Sequence, residues 1–114
     1  MGNNWVPVAT PTPASHGTEH IIVGKDAGQF SQLRITAAKG NTVVKKVVVY
    51  FVDGAVKTVK MNERVRDTKV ATIDLGKPRA IDRILVTTEK GKGEYAVYGS
   101  SEGGEPVGGV MSSR

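Results

Sequence analysis

Apolar side chains recur at every second position along most of this chain, and no stretch of helical length repeats them with a 3.6-residue period. Alternation of that kind makes strands with one dry face and one wet face, so extended segments must pair over a shared interior. In 31–38 (SQLRITAA), Leu33, Ile35 and Ala37 share one face, and Arg34 and Thr36 the other. The longest strand expected is 42–52, with Val43, Val47, Val49 and Phe51 on one side and Lys46, Val48 and Tyr50 on the other. Segment 69–75 turns Ala71, Ile73 and Leu75 inward. Segment 79–88 opens with Ala80 and Ile81, then changes phase to Ile84, Val86 and Thr88. A change of face within one strand predicts a bulge, here at Asp82-Arg83.

Turn residues punctuate these runs. Lys39-Gly40-Asn41 and 89–93 read as turns, 62–67 (NERVRD) as a polar loop, and Gly76-Lys77-Pro78 as a break. Asp53-Gly54 predicts a two-residue hairpin with both central residues at positive φ. Strands are also expected at 18–23, 55–61 and 94–98. Residues 1–17 hold Pro7, Pro11 and Pro13 and read as irregular, with a short edge strand available at 5–8. The Gly/Ser-rich end, residues 100–114, reads as a flexible tail. The body, residues 18–99, is expected to be all-β: an antiparallel two-sheet sandwich, jelly-roll-like, of about eight strands.

A length of 114 residues supports one domain. Cysteine is absent, which leaves the redox compartment open. The longest apolar run, Val47 to Val52, is far short of the ~20 residues that span a bilayer. No n-region, h-region and cleavage site follow Met1, so export would require a leader upstream of Asn3. The formal net charge of +5 invites a nucleic-acid or anionic-polymer reading. Lysines spread over nearly every segment favour a solvated surface, and nucleic acid is the less favoured partner.

Candidate chemistry is thin. His16, Glu19 and His20 match the inverted zincin spacing, but that chemistry needs a helix, and Gly17 interrupts the motif. No metal site and no cofactor is expected from it. Gly24 to Gly28 resembles a phosphate-binding loop, yet a strand follows where a helix is required. Asp74 and Asp82 read as outward or cross-strand ion-pair partners. What remains is recognition through loops at one end of the sandwich. Arg64 and Arg66, with Arg79 after the Gly-Pro turn, are the candidate ligand-binding residues, since guanidinium forks suit carboxylates, sulfates and phosphates.

In order along the chain stand Ile22-Val23-Gly24, Gly28-Gln29-Phe30, Leu33-Arg34-Ile35 and Val47-Val48-Val49-Tyr50-Phe51 leading to Asp53-Gly54. Ile73-Asp74-Leu75-Gly76, Arg79-Ala80-Ile81-Asp82-Arg83-Ile84 and Val97-Tyr98-Gly99 follow. This ordered set resembles a family of small, mostly exported bacterial β-sandwich proteins classed as domains of unknown function. The resemblance implies a periplasmic or secreted protein, with a cytoplasmic one left open, similar in outline to carbohydrate-binding and discoidin-like modules. It brings no catalytic residues. The expectation is a non-enzymatic module of the bacterial envelope whose ligand is a carbohydrate or an anionic envelope component. A nucleic-acid or anionic-polymer binder and a purely structural assembly module are the alternatives. Sugar binding would draw on Trp5, Tyr50, Tyr95 or Tyr98 as a platform.

Overall fold

The computed structural model describes residues 5–101. Seven strands appear in the order β1 (Val6–Pro13), β2 (Thr18–Ile22), β3 (Gln29–Lys39), β4 (Thr42–Phe51), β5 (Val56–Val65), β6 (Ala71–Thr88) and β7 (Glu94–Ser100). Every pairing is antiparallel. The pairing path runs β1-β7-β3-β6-β4-β5, with β2 also on β6.

The chain is all-β and antiparallel, as its alternation requires. Residues 71–80 of β6 pair with β3, while 81–88 pair with β4 on one flank and β2 on the other. β6 therefore serves as two strand segments. The expected pair of separate sheets is instead joined into one open path through this strand. Both halves feed one buried cluster: Leu33, Ile35, Ile73 and Val97 from one side of the path, Val47, Val49, Ile84 and Val86 from the other.

Several segments differ from expectation. Gly76-Lys77-Pro78 does not end a strand. Gln32 pairs with Asp74 and Phe30 with Arg79, so the intervening residues bulge out while β6 continues. Gly76 at φ 88° makes that excursion cheap, and its amide donates to Asp74 Oδ1 at 2.9 Å. Asp74 thus closes a local turn rather than an ion pair. The bulge expected at Asp82-Arg83 is present: Tyr50 pairs with Arg83 but Phe51 with Ile81, leaving Asp82 extra.

The 53–54 connection is a three-residue loop. Phe51 N–H donates to Ala55 O and Gly54 N–H to Phe51 O, with Gly54 at φ 95°. Asp53 Oδ1 accepts the Ala55 amide at 2.9 Å. Residues 62–65, read as loop, belong to β5. The segment read as irregular becomes β1, an edge strand whose register shifts accommodate its prolines. Of the tail expected at 100–114, Ser100 ends β7, and residues 102–114 lie outside the described residues. Among the described residues no helix is long and apolar enough to cross a membrane.

Candidate functional site

Antiparallel pairing brings the β3–β4 turn, the end of β5 and the β6–β7 loop to one end of the molecule. Glu89 N–H donates to Val43 O at 2.9 Å and Ala14 N–H to Gly93 O at 2.9 Å, which ties the β6–β7 loop to its neighbours. Gly93 lies flush against the β3–β4 turn. A Cβ there would run into the Asn41 carbonyl oxygen and stand 2.8 Å from Thr42 Oγ1. Between these segments opens a cleft of about 450 Å³. Lys39, Arg64, Lys90 and Lys92 line it, and among the described residues Glu89 is the only carboxylate that does so. Glu89 is drawn aside by Lys45 at 3.7 Å.

Arg64 is held in place: its Nη1 donates to Asn41 Oδ1 at 2.6 Å. Thr42, 3% exposed, contributes a hydroxyl with no partner among the described residues. The cleft thus offers three ammonium groups, an oriented guanidinium and glycine-rich backbone, a set suited to an anion with several oxygens. Arg66 lines an adjoining hollow of about 410 Å³ that shares Gly40 and Asn41 with the cleft. Arg64 and Arg66 therefore straddle the β3–β4 turn.

Arg79 does not join them. β4 runs from Thr42 beside the cleft to Phe51 beside Arg79, ten residues or about 30 Å of strand. Arg79 lies over the Phe51 ring, 3.7 Å from its centroid, and pairs with Asp53 at 3.5 Å. The Ala55 amide first, and Arg79 after it, hold the Asp53 carboxyl below the ordinary carboxylate range. Arg79 is therefore engaged in fixing the β4–β5 hairpin against β6.

The histidine cluster is also divided. His16 Nδ1 and Glu19 Oε1 lie 2.8 Å apart. Strand alternation in β2 turns Glu19 toward the interior and His20 to the outer face, in register with Leu85. No group of three or more His, Cys, Asp or Glu stands together among the described residues. Residues 25–27 form a single 3-10 turn leading into β3, without the long helix a phosphate loop needs.

Three of the four aromatic candidates, Tyr95, Tyr50 and Trp5, do not present a bare ring. Tyr95 is 1% exposed. Burial, with Glu19 nearby, pushes its hydroxyl up to about 12. Arg83 covers Tyr50 at 4.1 Å and Arg34 covers Trp5 at 4.0 Å from the ring centroids.

Sequence reasoning missed Lys39, Lys90 and Lys92 because they were weighed as a dispersed set. The available signal was local: both turns pair lysine with glycine, and turns 39–41 and 89–93 flank strands of one antiparallel system. A family model described as "Domain of unknown function (DUF2541)" matches residues 9–99. No curated protein and no solved structure matches the chain.

Proposed function

Because the chain belongs to this family of domains of unknown function (DUF2541), which carries no activity with it, we propose from the geometry that it is a binding module taking an anionic ligand in the Lys39–Arg64–Lys90–Lys92 cleft. One observation carries this reading. Four cations from three separate chain segments converge on one cleft whose single carboxylate is already paired. Like charges gathered this way repel, and a bound polyanion relieves that repulsion.

We read the module as non-enzymatic because its acid–base candidates do not converge: His16 pairs with Glu19, Asp53 with Arg79 and the Ala55 amide, and His20 stands on the outer face of β2. The ligand class we favour is an acidic glycan or another phosphate- or carboxylate-bearing component of the bacterial envelope. Covered aromatic rings weigh against a neutral sugar. The envelope setting, periplasmic or secreted, rests on the family likeness. Fractionation of cells making the natural protein tests it, and recovery with the cytosol overturns it.

Calorimetric titration with acidic cell-wall fragments tests the ligand, with neutral glycans and single-stranded DNA as comparison arms. Affinity should fall steeply between about 50 and about 200 mM salt. The Lys90→Ala/Lys92→Ala double variant should lose at least tenfold in affinity while keeping its circular dichroism. Equal binding by that variant, or binding of DNA alone, overturns the reading.

A further inference from the structure

Among the described residues three strands have a flank that no other strand covers along its length, and two of them are blunted. β1 carries Pro7, Pro11 and Pro13 and two register shifts. β5 carries Lys57 and Lys60 and is irregular opposite 44–46 of β4. Such features keep a sheet edge from accepting a further strand. β2 has neither.

The bonding pattern fixes what β2 offers. Thr88 N–H donates to Gly17 O at 2.7 Å, and Val23 N–H to Asp82 O at 3.0 Å. In the register that links them, Glu19 and Ile21 bond toward β6. The backbone groups of Thr18, His20 and Ile22 then point away from the sheet, and among the described residues no backbone partner meets them. Their side chains lie on the outer face, where Ile22 is 72% exposed. Of the exposed large apolar side chains among the described residues Ile22 is the most open, and it stands beside this unblunted edge.

We propose that β2 pairs antiparallel with β2 of a second copy about a twofold axis at His20. The three outward residues are symmetric about that position, so Thr18 of each copy meets Ile22 of the other. About six backbone hydrogen bonds follow from the antiparallel pattern. The β5-β4-β6-β2 ladder would continue into its own image, and Ile22 would be covered.

The charges are compatible with a second copy. Arg83 is in line with Ile22, hence with Thr18 of the other copy and then with that copy's Thr87. No guanidinium faces its own image. His20 alone meets itself across the axis.

The absence of cysteine makes the register directly testable. Across a hydrogen-bonded antiparallel pair the Cα atoms lie about 5.5 Å apart, within disulfide reach. His20→Cys should oxidise to a covalent dimer at pH 8. Ile22→Cys alone should not, because the two copies of position 22 stand about 14 Å apart along the strands. A mixture of Thr18→Cys and Ile22→Cys chains should cross-link.

Sedimentation across a concentration series should show a dimer for the natural sequence. His20→Pro removes an outward amide that bonds no backbone group among the described residues, and should weaken association at least tenfold with the circular dichroism retained. Ile22→Lys should do the same without touching the backbone. A strict monomer up to about 1 mM, a dimer indifferent to both variants, or Ile22→Cys linking to itself as fast as His20→Cys overturns the proposal.

Discussion

At the residue scale, Tyr95 and Gly93 show how single positions tie the interior to the cleft. Burial raises the Tyr95 hydroxyl from 10.0 to about 12, so the folded state holds its proton where the unfolded chain releases it. Stability from this group is complete below pH 10 and is lost as pH rises toward 12. The loss should amount to about 2–3 kcal/mol in denaturant unfolding. Tyr95→Phe should remove that alkaline decline relative to the natural sequence. Gly93 is needed for closeness of approach. Gly93→Ala should push the β6–β7 loop off Asn41 and Thr42, lowering the melting temperature and weakening anion binding together. Ligand titration beside thermal unfolding reads both effects.

At the element scale, the inward positions were legible because a period of two leaves little choice of face. Leu33, Ile35, Ile73, Ile84 and Val86 are all buried, and the phase change that betrayed the Asp82 bulge needed only the sequence 79–88. Strand ends were less legible. Gly76 and Pro78 locally resemble a terminator, and only the pairing of β3 on both sides of them shows that β6 passes through. Residues 62–64 are polar yet extended because one face of an edge strand is wet, while Val65 closes the strand in the core. The same contrast predicts mutational cost. Ile81, 0% exposed beside the bulge, should lose about 2–5 kcal/mol on Ile81→Ala. Ile22→Ala, examined below the dimer concentration, should change stability by no more than about 0.5 kcal/mol. Urea melts of the two variants compare them directly.

At the scale of the whole molecule, distance along the chain misleads about charge. Lys39, Arg64 and Lys90 are separated by dozens of residues yet line one cleft, whereas Arg64 and Arg79, grouped by sequence, are kept apart by the length of β4. Convergence depends on which turns share an end, and that follows from pairing order, which alternation alone does not specify. The order also governs cooperativity. With one buried cluster fed by every part of the path, far-UV and fluorescence melts should coincide in a single transition. Two resolved transitions would contradict a shared interior.

Among the described residues β6 is the one strand that pairs in both ladders, over its 18 residues. A protease cut at the loop formed by Lys77 would leave every side chain in place and yet remove the one strand continuous across both ladders, so that connections such as the β3–β4 turn alone would tie the halves together. Hydrogen exchange at Ile73 and Ile84 would then cease to report one common opening and would report two.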